Sequence, residues 1–309
     1  MACGWRATLA GPLLAVAGAI VCLSSSVQST GRPATAEDRQ PRTIYELWRS
    51  FDHTFQRVLT LNELEQYRKR SPEQIKKEDP ELYTRISQDV KAWTDLWIHH
   101  VRTAVVPLPE KRLAAAHRTA ERVDGILRDH FRARGWSYRP LDVVFLPPQV
   151  FLDETHRENL TAGMFIPFYP DSIFVSVDWP VPIELVLVHE ILHYNKTGDV
   201  FGRPVQEGLA ETGARFLVVK YDLLTTRSLR RLDTYSTERK GIELVLEAIM
   251  KRTGKSRDEA VDLFLGAFLT GNQDRMNEIF GDQTWERVIK LSNTRGDWQT
   301  HRIKAALGE

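Results

Sequence analysis

The stretch Leu185-Val-Leu-Val-His-Glu-Ile-Leu-His-Tyr194 limits what this chain can become more than any other. Ile183, Leu185, Val186, Val188, Ile191 and Leu192 give a helix that is apolar on every side, which is the pattern of a buried helix. Asp178-Trp-Pro-Val-Pro182 ahead of it sets prolines just before the helical run, a start signal. Yet this helix carries His189, Glu190 and His193, and unpaired polar groups are costly in such a place. The two histidines are four residues apart, so at about 100° per residue their imidazoles point from one face to a shared point. That geometry suits one tetrahedral metal ion, for which neutral imidazole nitrogen is a good ligand when the metal is zinc. Glu190, beside the first histidine, can reach a water held by such an ion without closing its coordination shell.

A zinc site that does chemistry needs a third protein ligand and an open fourth position. Both cysteines, Cys3 and Cys22, fall in the first residues of the chain, so the ligand must come from elsewhere. Gln206-Glu-Gly-Leu-Ala-Glu211 supplies a carboxylate, Glu207, with thirteen residues between it and His193. That gap fits a helix end, a turn built on Gly198, Gly202 and Pro204, and a returning amphipathic helix with Val205, Leu209, Ala210, Ala214, Phe216 and Leu217 on its buried side. Glu211 lies one turn further on the same face. A carboxylate there can accept the outward ring N–H of a ligating histidine, which fixes its tautomer and raises its basicity.

His189-Glu190-x-x-His193 followed by Glu207-Gly-Leu-Ala-Glu211 resembles the gluzincin group of zinc metallopeptidases, which includes thermolysin-like enzymes and glutamate-ligand aminopeptidases. The resemblance covers roughly residues 160 to 215. It implies that His189, His193 and Glu207 are the zinc ligands, that Glu190 is the general base, and that Glu211 is the partner of a ligating histidine. It also implies a donor for the developing oxyanion downstream of the third ligand, and Tyr221, Tyr235 and His301 qualify by position. The gap before Glu207 is shorter than in the aminopeptidases, Glu211 stands where the thermolysin pattern has aspartate, and the Gly-x-Met-Glu-Asn amine-binding signature is missing. Aminopeptidase specificity is therefore not implied.

Around this segment the chain divides by composition. Residues 1–28 read as a secretory signal peptide, with Arg6 ahead of an apolar run from Leu9 to Leu23 and small residues at Ser24, Ser25 and Ser26. The run is short for a bilayer span of about twenty residues and contains Gly11, Pro12 and Gly18, so cleavage is expected rather than an uncleaved anchor. Without the leader no disulfide can form, and the fold must rest on its core. The formal net charge of the chain is +1, which gives no basic field for nucleic acid. Residues 29–42 read as a flexible spacer.

Residues 43–136 form an N-terminal helical region. Ile44, Leu47, Trp48, Phe51, Phe55, Val58 and Leu59 mark one helix, Glu81 to Val106 a second, and Glu110 to Arg134 a third. Six histidines, His53, His99, His100, His117, His130 and His156, read as ordinary surface or core residues, since the tandem pair His99 and His100 cannot face one ion. Residues 137–220 form the core that carries the motif, with strands at Leu141 to Leu146, Gly163 to Pro167 and Ile173 to Val177. The resemblance puts Ala162 to Phe165 along a substrate cleft. Residues 221–309 form a C-terminal helical region whose segments are separated by Gly254, Gly271, Gly281 and Gly296.

The expected fold is α+β and predominantly α-helical, a zincin-like core with a small sheet before the motif helix and helices on both flanks. The expected activity is hydrolysis of peptide bonds by one Zn2+ ion and its activated water, in a secreted, periplasmic or otherwise extracytoplasmic protein. Its expected partners are peptide or protein substrates, with no nucleic acid and no stable membrane span. Two alternatives use the same residues: a non-catalytic binding or assembly protein on a zincin fold, and a zinc hydrolase of a non-peptide bond.

Overall fold

The computed structural model describes residue 47 and residues 72–102, 108–151, 163–164, 169, 171–177, 180–197, 200–293 and 296–308. The expected leader and spacer, the first helix apart from Leu47, Gly198 of the turn, and the second strand beyond Met164 lie outside these residues. The architecture is α+β and predominantly helical, with a single small sheet among the described residues. No described helix is long and apolar enough to cross a membrane.

The chain divides into two compact units. One takes residues 6–113 and 142–178, and its described elements include two helices, the sheet and a short 3-10 helix at Pro148–Phe151. Helix α1 (Pro72–Glu78) leads into α2 (Pro80–His100), whose start is set by Pro80 and by the Asp79 side chain accepting from the Leu82 amide at 3.0 Å. The α-helix runs to His100 and passes into a wider turn at Val101 and Arg102, and the rest of the expected helix to Val106 lies outside the described residues. In the sheet, β1 (Asp142–Leu146) pairs in parallel with β3 (Ser172–Ser176), and β2 (Gly163–Met164) pairs antiparallel on the other side of β3. The central strand is buried along its whole length. Ile75, Leu82, Ile86, Val90, Trp97 and Phe174 belong to the core of this unit. Tyr169 donates to Asp95 at 2.6 Å, and Arg102 to the Phe145 carbonyl at 3.2 Å.

The other unit takes residues 114–141 and 179–309. It holds α3 (Glu110–Ala133) from Ala114 onward, α4 (Ile183–Asn195), α5 (Arg203–Lys220), the short α6 (Thr226–Leu229), α7 (Ser236–Thr253), α8 (Arg257–Thr270), α9 (Asp274–Phe280), α10 (Asp282–Ser292) and α11 (Thr300–Leu307). Helix α5 is the centre of this unit, packed along α4, α7 and α8. It is buried almost throughout, from Pro204 to Val218.

Two glycines allow that packing. A Cβ on Gly202 would lie 1.9 Å from the Ser292 carbonyl oxygen, and the Gly202 amide donates to Ser292 Oγ at 2.8 Å. Its φ of −67° is open to any residue, so what position 202 requires is room rather than a special bend. A Cβ on Gly208 would lie 2.8 Å from the Glu238 carbonyl oxygen. Its absence lets α5 press directly against α7 one residue after Glu207.

Candidate metal centre

Helix α4 buries Leu185 to Leu192 without a break, including His189 and Glu190. Its far end is held by Asn195, which accepts from the Arg139 amide at 2.6 Å and donates to the Ile191 carbonyl at 3.0 Å. Helix α5 starts on Pro204 in its first turn and buries both Glu207 and Glu211. The two helices pack so that the side chains at 189, 193, 207 and 211 meet.

Three lone-pair atoms converge. His189 Nε2 lies 3.2 Å from His193 Nε2, His189 Nε2 lies 3.5 Å from Glu207 Oε2, and His193 Nε2 lies 3.4 Å from the same oxygen. These form the one group of ligand-type atoms among the described residues placed to hold a metal ion. A tetrahedral zinc with ligands at about 2.0–2.1 Å has ligand–ligand edges of about 3.3 Å, so the observed triangle has the size of one face of that tetrahedron. Glu207 Oε2 is buried and makes no hydrogen bond, the condition of an oxygen suited to a cation. Its other oxygen, Oε1, faces Arg203 Nε at 3.6 Å.

The ring orientation is set from behind. His189 Nδ1 lies 3.3 Å from Glu211 Oε2, so a proton on Nδ1 leaves the Nε2 lone pair free to face the other two atoms. Glu211 Oε1 in turn accepts from Arg215 Nε at 2.7 Å and from the Thr234 hydroxyl.

Negative charge is in excess here, and the proton affinities show it. Burial pushes the His189 imidazole down, but the carboxylates of Glu207, Glu211 and Glu190 outweigh it and raise the pKa to about 10. Burial favours the neutral acid at Glu207, yet His193 and His189 hold it well below the usual carboxylate range. Glu211 is also held low, by His189, Arg215 and Thr234 against the effect of burial. Glu190 goes the other way. Burial raises its pKa, with Glu207 adding to the rise, and the two histidines only partly offset it.

Tyr235 closes one side of the cluster. Its ring stacks on His189 with centroids 5.5 Å apart and planes 12° from parallel. The residue is buried, its hydroxyl makes no hydrogen bond among the described residues, and burial together with Glu207 and Glu190 holds the phenol protonated well above its ordinary pKa. Of the three tyrosine and histidine candidates, this is the one at the cluster. Tyr221 instead meets His130 Nδ1 at 2.6 Å, and His301 is exposed on α11.

The six histidines set aside from the motif behave differently from this pair where they are described. His99 and His117 are exposed, His100 is half-buried and His130 is buried, while His53 and His156 lie outside the described residues. Of the segment Ala162 to Phe165, Gly163 and Met164 are described, as β2. Sequence reasoning did not single out Arg215 or Thr234, although Arg215 falls on the same stripe of α5 as Glu207 and Glu211 at intervals of four. No family model, no curated protein and no solved structure matches this chain.

Proposed function

We propose that the chain is an extracytoplasmic zinc-dependent peptidase built on a zincin-like core, with His189, His193 and Glu207 holding one Zn2+ ion. The observation that carries this reading is the triangle of His189 Nε2, His193 Nε2 and Glu207 Oε2, with edges of 3.2 to 3.5 Å. A bound zinc would supply a Lewis acid and a water acidic enough to react near neutral pH.

The protein's own groups do the rest. Glu190 takes a proton from the attacking water as its oxygen bonds to the scissile carbonyl carbon, and delivers that proton to the leaving nitrogen as the C–N bond breaks. Its raised proton affinity suits a group that must both accept and return a proton. Glu211 keeps His189 in one tautomer by accepting from Nδ1. Tyr235, protonated and beside His189, donates to the carbonyl oxygen as negative charge develops on it. A purely structural metal site has no use for a buried carboxylic acid such as Glu190 next to the ligands, which favours an enzyme over a binding protein.

The test is Glu190→Gln, which removes the proton carrier and leaves every proposed ligand in place. Wild type should cleave a mixture of peptides and denatured protein and lose that activity to a chelator. The variant should keep one zinc per chain and lose turnover by about 10²- to 10⁴-fold. Undiminished cleavage by the variant would overturn the role of Glu190.

A further inference from the structure

The Arg215 side chain is only 13% exposed and uses its donors in two directions. Nε donates to Glu211 Oε1 at 2.7 Å. Nη1 donates to the Leu229 carbonyl at 3.0 Å, and Nη2 to the Leu232 carbonyl and to Thr234 Oγ1, both at 2.8 Å. Thr234 closes the ring by donating its hydroxyl to Glu211 Oε1. An i, i+4 ion pair on a helix needs one of these contacts. The other three go to the segment that ends at Tyr235.

Tyr235 itself sits at φ 47° and ψ 38°, in the left-handed region that a large side chain seldom occupies. Such a conformation persists where the surroundings over-determine it, and it recurs at functional sites. Here the residue before it is gripped by Arg215 and Glu211, and its own ring lies flat on His189. The same guanidinium therefore meets the carboxylate behind His189 and the backbone that delivers the ring in front of it.

We infer that Arg215 is a positioning residue that holds the two sides of the metal centre in register, setting His189 through Glu211 and Tyr235 through Leu229, Leu232 and Thr234. The inference rests on the zinc-peptidase reading of that centre. Lysine cannot substitute for the fork, because a single ammonium keeps the charge but not the planar set of donors at fixed angles.

The experiment compares wild type, Arg215→Lys, Tyr235→Phe and the double variant, as leaderless full chains stripped of metal. Zinc affinity is read by competition with a chromophoric chelator, kcat and KM on a peptide cleaved by wild type, and folding by thermal melt. Arg215→Lys should fold, bind zinc about 10- to 100-fold more weakly, and lose kcat with little change in KM. Adding Tyr235→Phe to it should cost much less kcat than Tyr235→Phe costs in wild type, since the hydroxyl is already misplaced. Wild-type zinc affinity in Arg215→Lys, or a full additive loss in the double variant, would overturn the inference while leaving the zinc site standing. Failure of wild type to bind zinc would overturn both. If Arg215→Lys does not fold, Thr234→Val decides: it removes one link of the ring and should give smaller losses of the same kind, and an unchanged kcat and affinity would count against the inference.

Discussion

His189 and His130 are both buried imidazoles with an acid and a tyrosine beside them, and their surroundings drive them in opposite directions. His189 meets Glu211 and Glu207 and stacks on Tyr235, and its pKa rises to about 10. His130, on α3, bonds Tyr221 through Nδ1 and has Asp262 Oδ1 3.7 Å from Nε2, and its pKa falls to about 4. Burial disfavours the charged ring in both. The difference lies in who owns the acid. Asp262 is already taken by Arg134 and lies 3.8 Å from Lys220, and both cations oppose a third positive charge. Around His189 there are three carboxylates, and a second histidine whose lone pair points at the same place. Burial beside an acid does not suit a histidine to a metal ion; surplus negative charge and convergent lone pairs do.

The sharpest way to break that contrast is to remove one member of each cluster and count metal. His193→Ala and Glu207→Ala should each reduce zinc from about one per wild-type chain to little after exhaustive dialysis, read by elemental analysis. His130→Gln should keep the full complement. Retention of tightly held stoichiometric zinc in Glu207→Ala would move the third ligand elsewhere. Loss of zinc in a folded His130→Gln would erase the distinction between the two clusters. The loss of turnover expected of Glu190→Gln comes next in size, and it separates holding the ion from using it.

Proton linkage gives an effect of opposite sign at each cluster. The His130 pKa is about 4 when folded against about 6.5 unfolded, so between these values the unfolded chain binds the extra proton. This contribution to stability is complete above pH 6.5 and is lost as pH falls towards 4, by up to about 3 kcal/mol. His189 is raised, so with chelator present its contribution is complete below pH 6.5 and is lost as pH rises towards 10. Denaturant midpoints of wild type and His130→Gln between pH 4.5 and 6.5 check the first half. The variant should show the shallower slope, and equal slopes would show that His130 does not titrate as its neighbours dictate.

How much of this was legible in the sequence follows from how local each relation is. His189 and His193 are brought together by the repeat of one helix, and Glu207, Glu211 and their distance from His193 can be laid out on a second. The predominantly helical α+β class was legible for the same reason, since the apolar spacing of α2, α3, α7 and α8 is helical and that of β1 and β3 is not. Tyr235 could not be chosen over Tyr221 or His301, because stacking on His189 depends on how closely α5 and α7 approach, which Gly208 permits. Arg215 was invisible for another reason. Two of its four partners are backbone carbonyls, at Leu229 and Leu232, and a carbonyl has no signature in the side chains. His130 was read as unremarkable because Asp262 is 132 residues away in the chain.

The smallest effect tests the contrast through the acids. Glu211 orients His189 without sharing the convergent triangle, so Glu211→Gln should keep the site and weaken zinc binding by about 10- to 100-fold. With its one oxygen accepting from His189 Nδ1, the amide lacks the charge that raises the basicity of the ring, and its NH2 group then faces the Arg215 and Thr234 donors. Asp262→Asn makes the same chemical change beside His130. There it should leave zinc affinity untouched and reduce stability instead, because Arg134 loses its partly buried counter-ion and Lys220 a nearby one. Chelator competition and thermal melts on the two variants check both halves. Weaker zinc binding in Asp262→Asn, or none of the loss in Glu211→Gln, would mean that the two carboxylates do not divide the work as their contacts imply.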